Sequence, residues 1–187
     1  MRCATIMFEV EIKYRVPSLD ELRRIVSLVA KPIGISIEED HYFNHPCRDF
    51  AQSDEAMRIR IHGDGETIIT YKGRRIGSIG KSRMEINLKI DNYDNAALIM
   101  TSLGFREVAV IRKRRELFTV DKYTIYLDDA ENLGRFVEVE TMVSDETLID
   151  VAAQDILKFA QEKLGLKPEQ IERRTYLELA MQIHPNN

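Results

Sequence analysis

The most constraining feature of this sequence is the alternation of ionisable and apolar side chains in segment after segment. Residues 6–14 read IMFEVEIKY, residues 57–62 read MRIRIH and residues 83–90 read RMEINLKI. Successive side chains of a β-strand point to opposite sides, so a period of two predicts strands with two unlike faces. One face can pack in a core, and the other carries charge. Such a chain is expected to fold as a sheet whose polar face is ionised.

Four more segments are predicted to be strands, and their short polar connections suit antiparallel neighbours. They are residues 67–72, 106–120, 124–130 and 135–143. Apolar residues at helical spacing predict three helices, which are separated from one another by strands. The first follows Ser18 and ends at Pro32, the second covers 93–103, and the third follows Ser144 or Asp145 and ends at Gly165, with Pro168 opening a final helical stretch. Seven or eight strands with three or four helices predict an α+β fold. No repeat or linker divides the sequence, which predicts one domain over residues 1–187.

Composition excludes several classes of function. The 27 Lys and Arg residues against 31 Asp and Glu give a net charge of −4, which argues against sequence-blind binding of nucleic acid. No apolar run approaches the roughly 20 residues that a membrane span needs, and the first residues do not read as a signal peptide. We therefore expect a cytoplasmic protein with neither a membrane nor a nucleic-acid partner.

Cysteine and histidine give no predicted metal site. Cys3 and Cys47 are too few for a disulfide scaffold and are predicted to be reduced thiols. His41, His45 and Cys47 have a spacing that could suggest zinc, but Pro46 follows His45 and no fourth ligand lies nearby. We interpret this segment as a turn.

The charged strand faces leave two interpretations open. On an open sheet they would be solvated, and ion pairs there contribute only about 0 to 1 kcal/mol each. In a closed barrel they would line one lumen, where basic and acidic sets suit a polyanion and the divalent cations that accompany it. Glu9 and Glu11 would point the same way, roughly 6 to 7 Å apart by strand rise, and Glu138 and Glu140 repeat that spacing. The pattern favours the lumen.

Two basic segments suggest other functions that the pattern does not support. Gly80-Lys81-Ser82 resembles the end of a phosphate-binding P-loop, but Arg75 replaces the first glycine and a strand follows instead of a helix. The loop around it is interpreted as a mobile basic flap or as an ordinary flexible connection. In residues 112–115, alternation sends Lys113 and Arg115 to one side of a strand and the other two to the opposite side, so no basic stripe forms.

Several motifs occur in the order and spacing of one family. They are EVEIK at 9–13, MRIR at 57–60, TYKG at 70–73, SRME at 82–85, KRRELF at 113–118, YLD at 126–128 and LGRFVEVE at 133–140. Together they resemble the CYTH superfamily, the triphosphate tunnel metalloenzymes, over residues 6 to about 180. The strands at 83–90, 113–118 and 127–140 look most like the class IV adenylyl cyclase branch.

The resemblance implies an eight-stranded antiparallel β-barrel, open at both ends, with helices packed outside. It implies that carboxylates hold Mg²⁺ or Mn²⁺ and that cationic side chains bind a triphosphate, a division that matches the chemistry of both groups. The implied metal ligands are Glu9, Glu11, Asp128, Glu138 and Glu140. The implied triphosphate-binding residues are Lys13, Arg58, Arg60, Lys72, Arg83, Lys113 and Arg115. Of these two sets, Lys13, Glu9 and Glu11 are the candidate catalytic residues, whereas Glu85 and Lys89 receive no role.

Three functions remain open at this point. The first is a cyclase that converts ATP to cyclic AMP and pyrophosphate. The second is a triphosphatase that hydrolyses thiamine triphosphate or inorganic tripolyphosphate, since the same lining serves both reactions. The third is a non-catalytic polyphosphate-binding module. A homodimer is a further expectation from the resemblance.

Overall fold

Eight antiparallel strands close into one barrel in the computed structural model, which describes residues 7–77 and 79–183. Around the barrel the strands follow the order β1, β5, β4, β3, β2, β6, β7, β8. Their bounds are β1 Phe8–Val16, β2 Lys31–Asn44, β3 Ala56–His62, β4 Thr67–Lys72, β5 Arg83–Ile90, β6 Arg106–Val120, β7 Tyr123–Ala130 and β8 Gly134–Val143. The predicted fold class, an antiparallel eight-stranded barrel with helices, is confirmed.

Helices pack against the outer face of the barrel and across one of its ends. They are α1 Asp20–Val29, α2 Phe50–Ser53, α3 Tyr93–Ser102, α4 Ile149–Leu164 and α5 Tyr176–Ile183. The largest core cluster lies where α1 and α4 pack on β1, β7 and β8, and it includes the fully buried Val10, Ile125 and Ile156. A smaller cluster around Ile59 and Met100 lies beneath α3. These clusters take up many of the outward apolar side chains, although Ile35 on β2 and Leu88 on β5 are exposed. Since successive side chains point to opposite sides, the charged positions of the same strands face inward.

The 14-residue β2 is the strand that the sequence pattern does not predict. It begins with Lys31-Pro32-Ile33-Gly34, which reads as a helix break, and the ladder to β6 has irregular register beside Pro32. Further on, Glu38 and Asp40 face inward while Glu39 and His41 face outward. With ionisable residues on both faces the alternation of polarity disappears, so the pattern gives no strand signal.

The predicted helices at 93–103 and after Asp145 are present, with small differences. The Asp145 side chain accepts a hydrogen bond from the backbone N–H of Thr147 and starts a 3₁₀ turn, Glu146–Leu148, that leads into α4. Gly165 ends α4 in the left-handed conformation at φ 68°. Pro168 opens only a 3₁₀ turn, Pro168–Gln170, and the last helix starts later, at Tyr176.

Some sequence predictions fall outside the described residues or are not tested by them. The predicted thiol at Cys3 lies outside the described residues, whereas Cys47 is a free, exposed cysteine. Within the described ranges, no helix combines the length and the apolar character that a membrane crossing requires. One domain over residues 1–187 stays a prediction.

Candidate functional site

The barrel encloses a lumen of about 550 Å³. Its lining includes all the predicted site residues except Lys13 and Asp128, which are buried in its wall. The strand register brings these residues together: Glu11 lies opposite Glu140, and Lys13 lies opposite Glu138, across the β1–β8 ladder. Side chains directly opposite each other in an antiparallel pair share a face. Residues from distant parts of the sequence therefore meet in one cavity.

On one side of the lumen, three cations from β3 and β6 surround a carboxylate of β2. Arg60 donates two hydrogen bonds to Asp40, from Nε to Oδ1 at 2.6 Å and from Nη2 to Oδ2 at 2.8 Å. The Lys113 Nζ lies 3.1 Å and the Arg58 Nη1 3.5 Å from Oδ2. Although burial opposes ionisation, Arg60 and Lys113 hold the pKa of Asp40 well below its usual range. The cations are thus fixed in place with two guanidinium groups and one ammonium close together.

Arg115 is held by three side chains. Its Nε donates to Asp128 Oδ1 at 2.7 Å, and its Nη2 also donates to Asp128 and to Glu138. The guanidinium stacks 3.9 Å above the ring of Tyr126. The hydroxyl of Tyr176 donates to Asp128 at 2.7 Å, so the Asp128 carboxylate, which is fully buried, is hydrogen-bonded on both oxygens. Asp128 and Glu138 both bind Arg115 in this structure.

The opposite side of the lumen has an excess of carboxylates. Burial raises the pKa of Glu9 well above its usual range. The Lys72 charge opposes this shift, whereas the charges of Glu85, Glu140 and Glu11 add to it. Burial also raises the pKa of Glu140 to about 7, with the Glu11 charge adding to the effect and a hydrogen bond from Tyr126 opposing it. Like charges placed directly opposite each other in a sheet are destabilising. This corner of the lumen therefore favours a bound cation.

The donor set of this corner fits Mg²⁺ or Mn²⁺. Glu9, Glu11 and Glu140 offer hard carboxylate oxygens in a crowded, partly buried region. Among the described residues, no three ligating side chains are already arranged as a closed metal cage. Mg²⁺ is usually bound through one or two carboxylates together with substrate phosphates and water rather than by a cage made wholly of protein. The arrangement therefore suits a metal that arrives with a phosphate ligand.

Lys13 is buried in the wall of the lumen, against aromatic rings. Its ammonium is 3.9 Å from the ring centroid of Tyr176 and 5.0 Å from that of Phe136. Its buried Nζ has no hydrogen-bond partner among the described residues. Burial, with the nearby Lys81 ammonium, lowers the pKa of Lys13 well below its usual range.

The loop before β5 contributes a cation that the motifs do not assign. The backbone N–H of Lys81 donates to the carbonyl of Glu11 at 3.0 Å, and its Nζ lies 3.2 Å from Glu11 Oε1. Lys81 is buried and lines the lumen. Gly80 permits this approach, because its φ is +77° and a Cβ there would lie 2.5 Å from the Glu11 carbonyl oxygen. The predicted mobile flap is thus packed against β1 at this point.

The two ends of the lumen differ, whereas the family resemblance implies a barrel open at both ends. Residues 175–178 lie across one end, which we call the closed end. Arg75 links two segments at this end, because its guanidinium lies 2.9 Å from Asp54 Oδ1 and 2.9 Å from Glu178 Oε1. At the opposite end, residues of five strands line what we call the open-end ring: Ser36, His62, Ile68, Asn87 and Leu117.

Several site residues were not predicted, for identifiable reasons. Glu38 and Asp40 lie on the unpredicted β2, and Tyr176 lies in the late helix. Glu85, which has no role in the motifs, faces the lumen and pairs with Lys72. Lys89 is exposed and pairs with Glu66 at 2.7 Å. The alternation that placed Glu85 inward could have identified it.

The predicted separation of the basic run on β6 is confirmed. Lys113 and Arg115 face the lumen, while Arg112 pairs with Glu39 outside it at 2.6 Å. The histidines considered for zinc lie on the outer side. His41 is within 2.8 Å of both Glu39 and Glu107, whereas His45 accepts a hydrogen bond from the backbone of Cys47 at 3.1 Å.

Comparison with known proteins identifies the family. The model of the CYTH domain matches residues 7–176. The chain belongs to the CYTH domain family. It is 38% identical over 174 residues to a putative adenylate cyclase of Methanocaldococcus jannaschii, covering 92% of this chain and 98% of that protein. It is 30% identical over 178 residues to the adenylate cyclase CyaB of Aeromonas hydrophila, covering 94% and 90% of the two chains. A Pyrococcus horikoshii protein of known structure superimposes with a TM-score of 0.87 at 39% identity, covering 94% of this chain and 99% of that one.

Proposed function

We propose that the lumen is the active site of a divalent-metal-dependent enzyme that acts on a nucleoside triphosphate, most like a class IV adenylyl cyclase. The observation that carries this proposal is the sorting of charge within one cavity. Arg58, Arg60 and Lys113 are grouped on one side, and an excess of carboxylates around Glu9 and Glu140 lies on the other. A triphosphate with its metal needs both groups. The adenylate cyclase names of the two sequence relatives support the same reading.

The open-end ring supports a substrate that carries a nucleoside. Ile68 and Leu117 are aliphatic at inward positions that elsewhere in the barrel are mostly charged. Ser36, His62 and Asn87 add hydroxyl, imidazole and amide groups, with Ser36 Oγ and His62 Nδ1 3.1 Å apart. Ligand sites commonly combine apolar walls with a few polar groups that fix orientation. A base in this ring would direct the triphosphate toward the cations.

The proposed reaction is an intramolecular displacement at phosphorus. The ribose 3′-oxygen forms a bond to the α-phosphorus, the bond from that phosphorus to the bridging oxygen breaks, and pyrophosphate leaves. The hydroxyl proton passes to a base or to water. Such chemistry depends mainly on positioning and on neutralising charge, and a bound Mg²⁺ or Mn²⁺ would supply part of that neutralisation.

Each side chain then has a proposed role. Glu9, Glu11 and Glu140 would hold the metal, and Asp128 and Glu138, also predicted ligands, bind Arg115 in this structure. The seven predicted cations, from Lys13 to Arg115, would hold the phosphates. Lys13 would contact the terminal phosphates, because it lies at the closed end beneath Tyr176.

The position of Lys13 also favours a second candidate, a triphosphatase. With the nucleoside at the open end, the terminal phosphorus would lie nearest the closed end and Lys13. A buried amine with a lowered pKa can accept a proton from an attacking water. Thiamine triphosphate and inorganic tripolyphosphate are the substrates proposed for that reaction.

A substrate panel separates these functions. The protein is incubated with ATP, thiamine triphosphate or tripolyphosphate and with Mg²⁺ or Mn²⁺, and the products are separated. We expect cyclic AMP and pyrophosphate from ATP. Formation of ADP and phosphate, without cyclic AMP, would refute the cyclase and support the triphosphatase.

A double variant tests the role of the carboxylates. Glu9→Gln with Glu11→Gln should abolish turnover while sparing part of the affinity for tripolyphosphate. Glu162→Gln, on the exposed side of α4, is the matched control. If the wild type binds tripolyphosphate but turns over none of the three compounds, the non-catalytic binding module is correct. The cytoplasmic location, the lack of a nucleic-acid or membrane partner and the possible homodimer remain predictions.

A further inference from the structure

Glu38 places a carboxylate among the cations that are proposed to bind phosphate. Its Oε2 lies 3.0 Å from Arg60 Nη1, 3.0 Å from Lys113 Nζ and 4.0 Å from Arg115 Nε. The residue is 3% exposed, yet it lines the lumen. Although burial opposes ionisation, Arg115, Lys113 and Arg60 hold the pKa of Glu38 at about 2. The carboxylate is therefore charged at neutral pH.

The contacts of Glu38 Oε2 with these cations are ion pairs without a well-aligned hydrogen bond. Oε2 is buried and has no hydrogen bond of acceptable geometry within the described part of the chain, although two cations lie 3.0 Å away. Strong ion pairs normally combine charge with short, aligned hydrogen bonds. A phosphate group has three or more oxygens to offer to the same donors and could satisfy them individually. Glu38 thus leaves part of the hydrogen-bonding capacity of these cations unused.

Asp40, on the same strand, differs in each of these respects. It is fully buried, does not line the lumen, and receives two short hydrogen bonds from Arg60. Asp40 therefore belongs to the wall that holds the cations from behind. Glu38 instead lines the cavity together with Arg60, Lys113 and Arg115, so an anion that binds these cations from the cavity would meet its carboxylate.

We propose that Glu38 is an affinity-setting residue, whose carboxylate competes with a triphosphate for Arg60, Lys113 and Arg115. This inference rests on the proposed function, because it takes the lumen as the triphosphate site. Binding then requires the carboxylate to leave these three cations, and His62 offers a neighbouring position, with its Nδ1 3.9 Å from Oε1. The competition lowers the affinity of the site and eases release of a phosphate product.

The test measures tripolyphosphate binding to Glu38→Gln. Glutamine keeps the shape of the side chain and removes the charge, so we expect the dissociation constant to fall by about tenfold or more, since close like charges oppose binding strongly in such a site. Titration calorimetry at low ionic strength, in phosphate-free buffer without metal, reports the constant. Glu39→Gln is the matched control, because Glu39 lies next in the sequence but outside the lumen, paired with Arg112. It should leave the constant unchanged.

A gain in affinity is a result that a merely structural role for Glu38 would not give. An unchanged or larger dissociation constant in a folded Glu38→Gln variant would overturn the inference. Thermal unfolding checks folding, and Glu38→Ala, which should also bind more tightly, replaces Glu38→Gln if the latter is unfolded. A wild type that binds no triphosphate would instead contradict the proposed function itself.

Discussion

Replacing Asp40 by asparagine removes a buried charge while conserving the shape of the side chain, and it should destabilise the protein strongly. Asp40 is fully buried and lies within 3.5 Å of the charged groups of Arg60, Lys113 and Arg58. Removing one partner of a buried ion pair costs about 3 to 5 kcal/mol, because the remaining charge is left uncompensated. At about 2 to 4 °C per kcal/mol for a chain of this size, the midpoint of thermal unfolding should fall by about 6 to 20 °C.

Thermal and urea unfolding followed by circular dichroism measure this loss. The buffer must be free of phosphate, because an anion bound to the released cations would restore stability by mass action. Asp129→Asn is the matched control, because Asp129 is exposed on β7 and pairs only with Arg135, at 3.8 Å, among the ion pairs of the described residues. Loss of its charge should change the free energy of unfolding by no more than about 0.5 kcal/mol. A loss below about 1 kcal/mol for Asp40→Asn would refute the argument that Asp40 organises the cations.

Two further predictions follow from the acidic corner and from the loop beside it. The pKa of Glu140 is raised in the folded state to about 7, above its ordinary 4.5, so its ionisation destabilises the metal-free protein increasingly as pH rises from about 4.5 to 7. Glu140→Gln should therefore raise the free energy of unfolding at pH 8 by on the order of 3 kcal/mol and have little effect at pH 4; an equal effect at both pH values in urea titrations would contradict the shift. Gly80→Ala should destabilise the protein much more than Gly65→Ala, since both glycines have positive φ but only Gly80 lies against a backbone oxygen. Equal unfolding midpoints for the two variants would contradict the packing of this loop on β1.

The alternating strands of the sequence predicted the charged face and most of the residues on it, and they favoured a closed lumen over an open sheet. The eight-stranded barrel itself was predicted from the family resemblance. Residues such as Glu9 and Arg58 stand between apolar neighbours, so their inward direction follows from the period of two. The assignment of roles needed the family resemblance, since alternation shows which face a side chain occupies and not what it binds.

The residues that the sequence did not reveal have a common physical cause. Glu38 and Asp40 lie on a strand with ionisable residues on both faces, where polarity carries no period. Tyr176 reaches Asp128 only because α5 crosses the end of the barrel, a contact between residues 48 positions apart. Lys81 enters the lumen through backbone geometry at Gly80. Each depends on tertiary packing, which a local pattern does not contain.

The central claim is that the cations of the lumen bind a triphosphate while the carboxylates of β1 and β8 hold its metal. A crystal structure with Mn²⁺ and a non-reactive ATP analogue tests it most directly, because the anomalous signal of manganese locates the ion. We predict manganese beside Glu9, Glu11 or Glu140, the phosphates among Arg58, Arg60 and Lys113, and the base in the open-end ring. Manganese and phosphates bound outside the barrel, with an empty lumen, would contradict the account.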